Sequence, residues 1–165
     1  MSGLVEMGAA AVVAELRAGR GTPLELVEAA DERIERRGPL VNAVPIRCFE
    51  RAGARARALM QGGAPEEPGP GWLGGLPIVV KDLFEVEGVR TTFGSPVFAE
   101  HVSGVTDLHV AQLEANGAIV LGKSNTPEFG AGANTFNEVF GATRNAWNTA
   151  LTCGGSSGGA ALAPA

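Results

Sequence analysis

The stretch 76–121 decides the fold: it opens on Leu76-Pro77-Ile78-Val79-Val80 (LPIVV) and closes on Ala118-Ile119-Val120-Leu121 (AIVL). Each end is a short continuous apolar run, the pattern of a strand buried on both faces. Between them, Thr106 to Asn116 reads as a helix with an apolar side made by Leu108, Ala111, Leu113 and Ala115. Asn116-Gly117 suits the C-cap of that helix better than a hairpin turn, because a helix precedes it. Strand, helix and strand in this order imply a parallel pair joined by a right-handed crossover. The chain therefore belongs to the α/β class, with helices covering the sheet.

Upstream, residues 1–61 form a helical leader. Leu4 to Ala18 places Leu4, Val5, Ala11, Val12 and Leu16 at apolar positions and stops at Gly19, a left-handed C′ residue. Thr22-Pro23-Leu24-Glu25 is a capping box with proline at the first helical position. Leu24, Val27, Ala30 and Ile34 then share a face until Gly38-Pro39 ends the helix. Phe49 to Met60 repeats the pattern, with Arg51, Arg55 and Arg57 on a solvated face. Residues 62–75 (GGAPEEPGPGWLGG) are a Gly/Pro-rich loop inside the fold, and 76–165 begin the α/β core of the same domain.

Composition narrows the function. At 45% hydrophobic, 19% charged and a net charge of −5, the chain suits one soluble globular domain and argues against disorder. The acidic balance, and arginines with no aromatics between them, argue against a nucleic-acid partner. No apolar run approaches the ~18 residues of a membrane span. Glu6 close to Met1 breaks the pattern of a signal peptide, so the expected compartment is cytoplasmic. Cys48, Cys153, His101 and His109 have no metal-ligand spacing, and neither a disulfide framework nor a metal or organic cofactor is expected.

The chemistry concentrates in Gly154-Gly155-Ser156-Ser157-Gly158-Gly159. Four glycines around two serines permit tight turns and close approach of another group, although a flexible Ser/Gly linker has the same composition. A phosphate cradle fails, because no Lys follows the glycines and Gly130-Ala131-Gly132-Ala133-Asn134-Thr135 puts Thr135 where the last glycine of the dinucleotide fingerprint belongs. GxSxG is satisfied twice, around Ser156 and around Ser157, but no Asp, Glu or His follows to complete a hydrolase triad. The remaining reading is a serine activated by lysine. Lys81 leaves the end of a strand that reads as buried, where desolvation favours the neutral amine that alone accepts a proton. A lysine there also suits a pair with Asp82 or an exposed position, and Lys123 ends the second strand in the same way. Cys153, beside the same loop, is the candidate for a nitrilase-like thiol nucleophile.

GGLPIVVKDLFEVEGVRTTFGS (74–95), GAIVLGKSNTPEFG (117–130), GATRNAWN (141–148) and GGSSGG (154–159), in that order, resemble the successive blocks of the amidase signature enzymes. The resemblance implies a mixed sheet covered by helices, of which this chain holds a part behind its helical leader. It also implies hydrolysis of carboxamides by a Ser, cis-Ser, Lys triad. Lys81 would be the base, Ser156 the relay serine preceded by a cis peptide, Ser157 a supporting hydrogen-bonder, and Lys123 structural. The partners implied are a small-molecule amide and either a second copy of the chain or the other subunits of an amidotransferase.

Two positions depart from the family pattern: Ala146 stands where proline is common, and Pro164 falls in a helix of small residues. The acylated serine of the family lies in a later glycine-rich block. No serine, threonine or cysteine follows Ser157, so the sequence reads as two of three triad members, on a truncated chain expected to be inactive and marginally stable alone or to act as a binding remnant.

Overall fold

The structure is a computed structural model and describes residues 3–164. Helix α1 spans Ala9–Arg17, and the residues before it form a separate short turn, Leu4–Glu6. The continuous helix expected from Leu4 is thus broken, with Gly8 in extended geometry as the N-cap of α1. Gly19 does take the left-handed conformation, at φ 67°.

Helix α2, Pro23–Val41, starts on the expected capping box. The Glu25 N–H donates to Thr22 Oγ1 at 3.2 Å, and the Thr22 N–H donates to the Glu25 carboxylate at 2.9 Å. Thr22→Ala is expected to lower stability by about 1 kcal/mol, read as a fall in the urea midpoint at unchanged slope. The helix does not stop at Gly38-Pro39 as the sequence suggested. Pro39 sits in its last turn, where the missing N–H strands only the carbonyl of exposed Glu35, and Asn42 at φ 51° makes the stop instead.

Strand β1 (Ile46–Arg47), unforeseen at two residues long, leads into α3 (Phe49–Ala58) and a widened last turn, Leu59–Gly63. Two of the three α3 arginines are not merely solvated, while Arg57 is exposed as expected. Arg51 pairs with Glu114 at 2.6 Å, and Arg55 donates to the Glu114 carbonyl at 3.1 Å, tying α3 to the helix that follows β2. The Gly/Pro loop is tied down as well: Arg17 donates to the carbonyls of Gly69 at 3.0 Å and Trp72 at 3.1 Å.

Strand β2 (Pro77–Lys81), α4 (Leu108–Ala115) and β3 (Ile119–Ser124) form the expected parallel crossover. The sheet order is β1-β3-β2, with β1 antiparallel. Central β3 is buried throughout, but β2 lies at the edge and is mostly half-buried, so the expected burial of both strands on both faces holds only for β3. The apolar side read for α4 is also corrected. Leu108 is 75% and Leu113 41% exposed, whereas Val110 is buried in the core.

The sheet separates two apolar layers. Val27, Ala52, Ala56, Leu59, Ile119 and Leu121 pack on the α2–α3 side, and Ile46, Val80, Val86, Val89, Val110 and Val120 on the other. A register slip between Ile78 and Val79 leaves Leu121 without a partner on β2. Beyond it Val80 pairs with Lys123 and Lys81 with Ser124, so the two lysines leave opposite faces of the sheet. A hairpin, β4 (Phe136–Asn137) and β5 (Gly141–Ala142), and a short helix α5 (Gly158–Leu162) complete the described elements.

Candidate active site

Lys81 closes β2 on the face where α5 packs, and GGSSGG is the turn that enters α5. This turn is no linker. Gly158 and Gly159 are buried, and a Cβ at Gly159 would lie 2.4 Å from the Asn125 nitrogen and 2.7 Å from the Ala43 carbonyl oxygen. Only glycine lets the helix approach the end of β3 this closely.

That approach brings the serines to the lysine. Lys81 Nζ donates to Ser156 Oγ at 2.8 Å and to Ser157 Oγ at 3.0 Å, and the Gly155–Ser156 peptide is cis. Lys81 and Ser156 are half-buried and Ser157 is exposed. Burial pushes the Lys81 amine below its ordinary value of 10.5.

The pairing of Lys81 with Asp82 that the sequence left open does not occur. Asp82 is fully buried on the opposite face, 3.3 Å from Lys123 Nζ. Lys123, also at 0% exposure, further donates to the Phe84 carbonyl at 2.6 Å and to Thr91 Oγ1 at 2.7 Å. Asp82 in turn accepts from the Thr92 hydroxyl at 2.5 Å and the Thr92 N–H at 3.2 Å. Burial lowers the Lys123 pKa and the Asp82 charge opposes the shift. One lysine is locked in a satisfied network, and the other faces two hydroxyls.

The half-buried Cys153 thiol donates to the Gly154 carbonyl at 3.3 Å and packs beside Ala43, Val44 and Leu162. No described lysine or carboxylate is hydrogen-bonded to it. Among the described residues no His, Cys, Asp and Glu side chains group as metal ligands, and no helix is long and apolar enough to cross a membrane.

Sequence reading missed the polar scaffold behind the serines. Buried Asn125 donates to the Gly141 carbonyl at 3.1 Å and to Thr143 Oγ1 at 3.0 Å, and accepts from Asn137 Nδ2 at 2.7 Å. Thr135, two residues before Asn137, bonds to the serine turn itself. Nothing local marks these Asn and Thr residues, since their partners are distant in sequence.

A lysine amine at the C-terminal end of a parallel strand thus meets two serines on a glycine turn. The Amidase family model matches residues 25–165, and the chain belongs to this family. It is 41% identical over 157 residues to a glutamyl-tRNA(Gln) amidotransferase subunit of Methylococcus capsulatus, covering 93% of this chain and 32% of that protein. Two solved structures superpose closely. 6-Aminohexanoate cyclic dimer hydrolase matches at a TM-score of 0.84 and 31% identity, over 96% of this chain and 32% of its own. A bacterial aryl acylamidase of the amidase signature enzymes matches at 0.84 and 34%, over 94% of this chain and 32% of its own. The chain spans about a third of the length of these relatives.

Proposed function

We propose that this chain is the base-bearing part of an amide hydrolase that cleaves a small carboxamide through an acyl-enzyme. The observation that carries the proposal is the contact of Lys81 Nζ with Ser156 Oγ at 2.8 Å. Neutral Lys81 takes the proton of Ser156 as the Ser156 oxygen takes the proton of the attacking serine, which lies outside these 165 residues. The attacking oxygen bonds to the carbonyl carbon, and the C–N bond breaks as the relay returns its proton to the leaving nitrogen. Water then releases the acid by the same path. Ser157, at 3.0 Å from Nζ, holds the amine in line. On this reading the 165 residues alone hydrolyse nothing.

Replacing Ser156 by alanine in the complete gene product should cut amide hydrolysis roughly 10²–10³-fold by severing the relay. The substrate is whichever of acetamide, benzamide and p-nitroacetanilide the unmodified protein cleaves fastest. Turnover equal to the unmodified protein would rule the relay out.

The likeness to an amidotransferase component favours a second reading, in which the released ammonia passes to an acceptor within a complex. Stable co-purification with other subunits distinguishes this case from a free-standing hydrolase.

A further inference from the structure

The serine turn hangs on one side chain that the reaction itself does not use. Thr135 is 2% exposed, and its hydroxyl spans the turn from end to end. Thr135 Oγ1 donates to the Gly154 carbonyl at 2.9 Å and accepts from the Gly158 N–H at 2.9 Å, while the Thr135 N–H also donates to the Gly154 carbonyl at 3.0 Å. Ser156 and Ser157 form the apex between these two ends. The glycines leave no slack around the hydroxyl: a Cβ at Gly158 would sit 2.4 Å from Thr135 Oγ1, and one at Gly155 would sit 3.0 Å from it.

Thr135 is fixed in turn by the rest of the fold. Its carbonyl accepts from Thr143 N–H at 2.9 Å across the hairpin. Asn137, two residues on in β4, donates to Asn125 Oδ1 at 2.7 Å and to the Thr126 carbonyl at 2.8 Å. Asn125 directly follows Ser124, the residue in register with Lys81. Short backbone segments joined by hydrogen bonds thus lead from the strand pair that carries the lysine to the turn that carries the serines.

The geometry points to Thr135 as the positioning residue that sets the distance between Ser156 and Lys81. This rests on the reading of Lys81 and Ser156 as base and relay. A hydroxyl has one proton and two lone pairs, and here the proton and one lone pair each hold one end of the turn. Valine has the shape of threonine and neither side-chain bond, so it frees the Gly158 end and leaves the Gly154 carbonyl only the backbone N–H of residue 135, without opening a large cavity.

The test compares Thr135→Val, Thr135→Ser and Lys81→Ala in the complete gene product, on the amide chosen above. Thr135→Val should lower kcat roughly 10–10²-fold at nearly unchanged KM, the order lost when reacting groups are displaced by about 1 Å. The rising limb of its pH–rate profile should also move to higher pH, because a loosened turn lets water reach Lys81 and returns its pKa toward 10.5. Thr135→Ser keeps the hydroxyl and should restore both rate and limb.

An inactive Lys81→Ala beside a Thr135→Val with normal kcat and an unmoved limb would overturn this inference alone. Thr135→Val and Thr135→Ser that are equally slow, with equally lowered unfolding midpoints, would overturn it in favour of a packing role. If Thr135→Val does not fold, Thr135→Ala against Thr135→Ser carries the same contrast. A fully active Lys81→Ala would remove the reading on which the inference stands.

Discussion

Lys81→Ala in the complete gene product is expected to slow amide hydrolysis roughly 10⁴-fold, the upper end of what one general base contributes. Thermal stability should be nearly unchanged, because Lys81 is half-buried and forms no ion pair among the described residues. The pH dependence gives an independent check. Only the neutral amine accepts a proton, so the rate rises with pH through the Lys81 pKa and levels off above it. Burial places that plateau at lower pH than an ordinary lysine at 10.5 would. The same lowered pKa means that the folded state holds fewer protons than the unfolded chain between the two values. Stability attributable to Lys81 therefore rises with pH across that window; the penalty is full below the folded pKa and gone above the unfolded one. A Lys81→Ala enzyme that keeps its rate, or a wild-type rate that falls as pH rises toward the plateau, would exclude Lys81 as the base.

Lys123→Met tests the other lysine and should give the opposite phenotype. It leaves Asp82 charged and fully buried, with only the Thr92 donors around it, and breaking a buried pair in this way costs about 3–5 kcal/mol. The thermal midpoint should fall by several degrees. Adding Asp82→Asn to Lys123→Met removes the stranded charge and should recover part of the loss. A single variant as stable as the parent would show that the pair contributes nothing. Lys81→Ala is thus expected to cost rate and spare stability, and Lys123→Met to cost stability first.

The two lysines show where sequence reading stops. Both follow apolar runs, and both read as strand-end amines beside glycines or Asp82. They are separated by the one-residue slip opposite Ile78 and Val79, which leaves Leu121 without a partner on β2 and turns Lys123 toward Asp82 and Thr91. Strict alternation along β3 would have put Lys123 beside Ile119 and Leu121, and no local residue announces the bulge. The resemblance to the amidase signature blocks assigned Lys123 a structural place when periodicity could not.

The parallel crossover and the capping box on Thr22 were legible because they depend on short-range pattern. The exposed face of α4 was misread for the same reason: alternating apolar residues there do not reveal which side meets the sheet, and Val110 does. Strand β1 is not legible because two residues carry no periodicity, and the bonds of Thr135 to the serine turn are not because its partners lie at Gly154 and Gly158.

The edge position of β2 bears on how tightly Lys81 holds a proton. One flank of the strand that ends in Lys81 is bonded to β3, and no described strand pairs with the other. Any backbone that pairs there takes water from the lysine's neighbourhood and weakens its hold on a proton further. The amine of Lys81 is therefore less basic with a neighbour on that edge than without one, and its neutral share at a given pH grows as the edge is covered.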